Sequence, residues 1–176
     1  FSGADGRTTV EIYYALPLNM VYWERENLRF SGEVKHSVKI FSDKPLPVAE
    51  ISDSKKLRFY MYQYDNILND AYTLSQKFEL DPGEYMVEIV LFDDRSGTRG
   101  QIRDRLYIED FADNSLHVSD LLLAYNITMD DPKTMMNRET VNMYHHPAHL
   151  YLINKPIYVY FEINNLFVNG DTDMND

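Results

Sequence analysis

From Leu28 to Ile40 the chain alternates almost without a break. Leu28, Phe30, Gly32, Val34, His36, Val38 and Ile40 fall in one phase, and Arg29, Ser31, Glu33, Lys35, Ser37 and Lys39 in the other. Successive side chains point to opposite sides only in an extended strand, so this period of two predicts a long β-strand with one buried and one wet face. Gly32 is expected to mark a bulge in it. A helix would scatter the same apolar residues around its whole circumference, so the segment excludes an all-helical fold.

The same period recurs along the chain. Thr8 to Tyr14 is β-branched and aromatic and is closed by Pro17. Val21-Tyr22-Trp23 precedes a polar stretch, Glu24 to Asn27, that reads as a hairpin turn. Ser42 to Ser54 holds two prolines and many polar residues and reads as a connection. Leu57 to Tyr64, Tyr72 to Leu80, Glu84 to Phe92 and Gln101 to Ile108 read as strands, with Asp65 to Asp70 as a turn or one helical turn. Asp81-Pro82-Gly83-Glu84 is a turn signal, because Pro presets one turn position and Gly accepts positive φ at the next. About seven strands thus precede residue 110, at the spacing of a β-sandwich. Leu80, Gly83, Tyr85 and Val87 form L-x-x-G-x-Y-x-V, which places Tyr85 to hydrogen-bond back to nearby backbone, as at the tyrosine corner of immunoglobulin-like sandwiches.

Beyond a linker at Asp110 to Ser115, Leu116 to Ile127 and Pro156 to Leu166 read as strands, while Met129 to His149 has no clean period. Two or three strands do not close a sandwich. The expected architecture is therefore all-β: an immunoglobulin-like antiparallel sandwich over residues 1–109, then a partial second β domain or extension over 110–176. Phe1 in place of Met, and the acidic run after Asn169, suggest a piece of something longer.

Four segments together resemble the β-rich region of bacterial GWxTD-domain proteins. They are Val10-Glu11-Ile12-Tyr13-Tyr14-Ala15-Leu16-Pro17, Leu80-Asp81-Pro82-Gly83-Glu84-Tyr85, Val118-Ser119-Asp120-Leu121-Leu122-Leu123-Ala124 and Pro156-Ile157-Tyr158-Val159-Tyr160-Phe161-Glu162-Ile163-Asn164-Asn165-Leu166. The Gly-Trp-x-Thr-Asp motif itself is absent, and the only Trp is Trp23. The resemblance implies an extracytoplasmic bacterial protein with further chain after residue 166. It carries over no catalytic residue.

Charge and composition narrow the function. With 17 Lys and Arg against 28 Asp and Glu, the net charge is −11, and no basic stripe is evident for nucleic-acid phosphates or anionic lipid. The absence of Cys removes disulfides, thiolate metal sites and a Cys nucleophile. The longest apolar run, Leu121 to Tyr125, is far too short to span a bilayer. No G-x-S-x-G elbow or glycine-rich phosphate loop is present. His145, His146 and His149 are weak candidates for a transition-metal site, and Asp171, Asp173 and Asn175 for a calcium loop that lacks its central Gly and late Glu. Asp93, Asp94 and Ser96 read as a loop tip, and His36 as a hydrogen-bonded core His. No cofactor is expected.

Fourteen Tyr and nine Phe are the conspicuous resource. Tyr60, Tyr62 and Tyr64 are expected on one strand face, and Tyr158 and Tyr160 on another, as rows suited to an interface. The leading expectation is a non-enzymatic interaction or structural module that meets a protein partner or a neighbouring domain. A carbohydrate-binding module using the Tyr rows is the alternative, and an enzyme is a third.

Overall fold

The computed structural model describes residues 6–111, 115–129, 141–144 and 153–166. The chain is all-β, with antiparallel sheets. Seven strands precede residue 110: β1 (Thr8–Pro17), β2 (Glu24–Glu26), β3 (Arg29–Phe41), β4 (Ala49–Tyr60), β5 (Ala71–Leu80), β6 (Gly83–Phe92) and β7 (Arg99–Ile108). A single helical turn, α1 (Tyr64–Ile67), sits between β4 and β5. β1 and β5 form one antiparallel ladder. β3 is the spine of a larger curled sheet: β4 lies along one edge, and β2 and then β6 along the other, with β7 outside β6.

The two ladders share one core. β1 contributes Tyr14 and Leu16, and β5 contributes Leu74, Phe78 and Leu80. The larger sheet answers with Val34, Val38 and Ile40 of β3, Leu57 of β4, Leu91 of β6 and Ile108 of β7. Leu16, Val34, Val38 and Ile40 are completely buried. Each such side chain stabilises the fold by about 1.5–3 kcal/mol through the apolar surface it removes from water. The inward phase of β3 is the one its alternation predicts, and it includes His36.

Gly32 is not at a bulge. Its register with Leu57 is regular. It is glycine because Val21 and Trp23 cross directly over it: a Cβ would lie 2.6 Å from Val21 Cγ1 and 3.1 Å from Trp23 Cε3. Trp23 is held there by its indole N–H, which donates to the Leu18 carbonyl at 2.9 Å, and by an edge-on contact with Phe59. The turn after this segment is tighter than expected. Glu24 to Glu26 are strand, and only Asn27 and Leu28 turn, Asn27 with φ 55°. Asn tolerates that left-handed region better than other non-glycine residues do.

The connection expected over Ser42 to Ser54 is also shorter. β4 begins at Ala49 and pairs with β3 as far as Tyr60. Its polarity hid it. β4 is an edge strand, and its core-facing phase carries Asp53 and Lys55 among Ala49, Ile51, Leu57 and Phe59. β7, at the other edge, similarly points Asp104 inward, opposite Val87. Inward charges on edge strands oppose the addition of a further strand, because that would bury them.

Asp93 ties the β6–β7 loop to the segment between β1 and β2. It is 1% exposed, and its carboxylate accepts the backbone N–H groups of Tyr22, Arg95 (2.8 Å) and Ser96 (3.1 Å). The expected loop tip is thus a structural clamp whose oxygens are already used. At the base of β6, Tyr85 donates its hydroxyl to the Asp81 carbonyl at 3.0 Å, the bond its motif predicts.

After residue 110 the described residues form short ladders: β8 (His117–Val118), β9 (Leu122–Ala124), β10 (Asn126–Met129), β11 (Val141–Tyr144), β12 (Tyr158–Tyr160) and β13 (Ile163–Asn164). The expected strands Leu116 to Ile127 and Pro156 to Leu166 do face each other, but each is interrupted. Tyr160 pairs with Leu122, and Ile163 pairs with Val118. Ser119 to Leu121 therefore oppose only Phe161 and Glu162, which is a one-residue bulge. Ser119 bridges it: its N–H donates to the Glu162 carbonyl, and its hydroxyl accepts the Glu162 N–H, both at 2.9 Å. Phe111 and Asp120 to Leu122 line a cavity of about 460 Å³ together with β1 and the end of β7.

Two substitutions test this packing by urea unfolding. Gly32→Ala should cost about 1–3 kcal/mol, because Val21 and Trp23 must move. Asp93→Ala should cost on the order of 3 kcal/mol, since backbone donors lose a charged acceptor. A loss below about 0.5 kcal/mol for either would contradict the geometry.

Candidate functional site

The parity that buries Val34, Val38 and Ile40 sends the other phase of the larger sheet to its outer face. Register places these residues in rows across the strands. Tyr60, Arg29 and Glu26 form one row, Arg58, Ser31 and Glu24 the next, and Lys56 stands beside Glu33. The next row runs Ser54, Lys35, Phe92 and Arg99, and the one after it Ser52, Ser37, Val90 and Gln101. Then follow Glu50, Lys39, Glu88 and Arg103, and beyond them Phe41, Met86 and Arg105. Glu84 and Tyr107 close the face.

The charge on this face is unlike that of the chain. Eight of the 17 Lys and Arg stand here (Arg29, Lys35, Lys39, Lys56, Arg58, Arg99, Arg103 and Arg105), against six of the 28 acids (Glu24, Glu26, Glu33, Glu50, Glu84 and Glu88). The remainder of the chain keeps nine basic residues against 22 acidic ones. The overall −11 conceals a sheet face on which bases slightly outnumber acids. Four of the cations are ion-paired: Lys35 with Asp94 at 2.5 Å, Lys39 with Glu50 at 3.2 Å, Lys56 with Glu33 at 3.8 Å, and Arg103 with Glu88 at 2.5 Å. Such surface pairs contribute little to stability, typically about 0–1 kcal/mol. Glu88 is the exception in burial. Arg103 holds its carboxyl below the usual range against the cost of desolvation, and Gln101 donates to it at 2.7 Å. Among the described residues no carboxylate pairs with Arg58, Arg99 or Arg105.

At the centre of the face is an open trough of about 620 Å³. Lys35, Ser37, Ser52, Ser54, Val90, Phe92 and Arg99 contribute to its lining. Its floor is low because three serines and a valine meet there in adjacent rows. At one end of the face, Tyr60 and Tyr62 stack with ring centroids 5.7 Å apart and planes 16° apart. Tyr60 is 46% exposed and Tyr62 80%. The Arg29 guanidinium lies over the Tyr60 ring at 4.8 Å and donates to its hydroxyl at 3.1 Å.

The Tyr rows expected from the sequence are only partly formed. Tyr60 ends β4, Tyr62 lies in a 3₁₀ turn and Tyr64 opens α1, so the three do not share a strand face. Tyr64 instead stacks on Phe30 at 4.2 Å. Tyr158 is 39% exposed, but Tyr160 is only 8% exposed and donates its hydroxyl to Glu162 at 2.7 Å, so it offers no contact surface. His145, His146, His149, Asp171, Asp173 and Asn175 lie outside the described residues. Among the described residues no group of three His, Asp or Glu side chains could hold a metal ion, and no helix is long and apolar enough to cross a membrane. The outer-face arginines were missed. They are scattered over β3, β4 and β7, and only pairing register brings them together.

His36 is on the inner side of the same sheet, buried, with Nδ1 2.8 Å from the Tyr14 hydroxyl. Burial pushes the His36 imidazole down, with Asp53 opposing, and pushes the Tyr14 phenol up. Both groups are therefore neutral near pH 7, as a core pair must be.

No protein-family model matches this chain, and no curated protein or solved structure matches it either.

The histidine makes a pH prediction. In the unfolded chain His36 takes a proton near its ordinary 6.5, whereas in the fold it does so only at lower pH. The unfolded state then binds more protons, so stability is full above the unfolded value and falls as pH drops through the window between the two values. Urea unfolding across that window should show a loss in the wild type and a flatter dependence in His36→Gln. Equal slopes would contradict the assignment.

Proposed function

We propose that the chain is a non-enzymatic interaction module whose contact surface is the outer face of the larger sheet. The carrying observation is a sheet face where bases outnumber acids on a strongly acidic chain, with Arg58, Arg99 and Arg105 lacking a carboxylate partner among the described residues. Cations left without a carboxylate partner on an exposed face suit attraction of a complementary anionic partner. Both sheet edges carry inward charges, which leaves faces rather than edges for contact.

The fold we infer behind this surface is an immunoglobulin-like sandwich followed by a partial second β unit. It is supported by the separation of β1 and β5 from β4, β3, β6 and β7, and by the Tyr85 bond to Asp81. The resemblance to GWxTD-domain proteins supports an extracytoplasmic bacterial setting. A protein partner or neighbouring domain fits such a module. The stacked, exposed Tyr60–Tyr62 pair favours a second occupant, carbohydrate, because open aromatic faces stack on apolar ring faces.

The test is a triple charge reversal, Arg58→Glu with Arg99→Glu and Arg105→Glu, compared with Lys77→Glu on the outer side of β5. Surface changes of this kind should shift stability by no more than about 0.5 kcal/mol each. Binding to the source cell's envelope fraction should fall by about tenfold or more for the triple variant and stay unchanged for Lys77→Glu. The reverse pattern would contradict the proposed surface.

A further inference from the structure

Resting on that reading, we propose that the outer face of the larger sheet binds a carboxylate-bearing polysaccharide lying along β3 and β4. The aromatic pair and the cationic trough belong to one surface. Tyr60 and Ser54 point outward from the same strand, and the six residue steps from one to the other span roughly 20 Å at about 3.3 Å per residue. A chain of several sugar units fits that track.

Each part of the track matches one feature of an acidic sugar. The open face of Tyr62 accepts the apolar side of a pyranose ring, with Arg29 behind Tyr60 holding the stack in place. Arg58 and Arg99, which have no carboxylate partner among the described residues, meet the uronate groups with paired N–H donors. Ser37, Ser52 and Ser54 line the trough between them. A hydroxyl both donates and accepts, so three in adjacent rows suit a ligand rich in hydroxyls.

An acidic protein fits less well. The centre of a protein interface is apolar and depleted in charge. Here the centre is serine and cation, and the large side chains Val90 and Phe92 are half-buried. An extended peptide also finds no backbone partner on a sheet face, since main-chain groups point along the sheet toward neighbouring strands. Those of the β4 and β7 edges are guarded by Asp53, Lys55 and Asp104.

The experiment is calorimetric titration of the intact chain with polygalacturonate oligomers, neutral dextran oligomers and poly-L-glutamate. Polygalacturonate should bind, and its affinity should fall by about tenfold between low and roughly physiological salt as screening grows. Tyr62→Ala should weaken it about fivefold by removing the stacking face, and Arg99→Ala by a similar factor. Lys77→Ala should leave it unchanged. Poly-L-glutamate, with the charge but no rings, should bind about tenfold more weakly, and dextran, with rings but no charge, should not bind measurably. Equal binding of poly-L-glutamate with no effect of Tyr62→Ala would overturn the polysaccharide assignment in favour of an acidic polypeptide. Binding of dextran as tight as polygalacturonate would overturn its anionic character. If no polysaccharide binds while the triple charge reversal still abolishes envelope binding, this inference fails and the interaction surface stands. If that reversal is silent too, the surface itself falls.

Discussion

The packing of the β1–β5 ladder on the inner face of the larger sheet is the constraint on which the other features depend. Once Val34, Val38 and Ile40 are committed to that core, the pleat sends Lys35, Ser37 and Lys39 outward. Pairing then transmits the same parity to β4, β6 and β7. A slip of one residue anywhere would bury lysines and expose the core, so the register is strongly specified. Asp93 and Gly32 serve this packing at its margin. The first anchors the β6–β7 loop to Tyr22, and the second lets Val21 and Trp23 lie close over β3.

The sequence was most legible where one strand face is apolar throughout. β3, β5 and β6 lie within a residue or so of their expected positions, and the Tyr85 bond follows from its turn motif. It was least legible where an edge strand breaks the pattern. The first half of β4 reads as loop because Asp53 and Lys55 occupy its inward phase. The β9–β12 and β8–β13 ladders failed differently. Alternation placed Tyr160 on the outward row, but the bulge at Ser119 to Leu121 is a property of pairing, and neither strand announces it alone. The cationic face was invisible for the same reason. Arg58 and Arg99 are far apart in sequence, and the −11 total averages them away.

Charge and shape on this molecule divide the labour. The edges carry inward charges that resist strand addition, and the core-facing polar pair, Tyr14 and His36, is neutral and internally bonded. What stays open is a sheet face with cations, hydroxyls and one aromatic platform. Its individual ion pairs contribute little to stability. That makes the arrangement costly to explain as a folding device and economical to explain as a recognition surface.

The most direct measurement is lysine acetylation footprinting of the chain on its source cell's envelope, compared with the free protein. Lys39 and Lys56 of the outer face should become protected on the envelope, while Lys44 and Lys77, away from that face, should react as in the free protein. Protection of Lys77 with Lys39 and Lys56 still reactive would contradict the account.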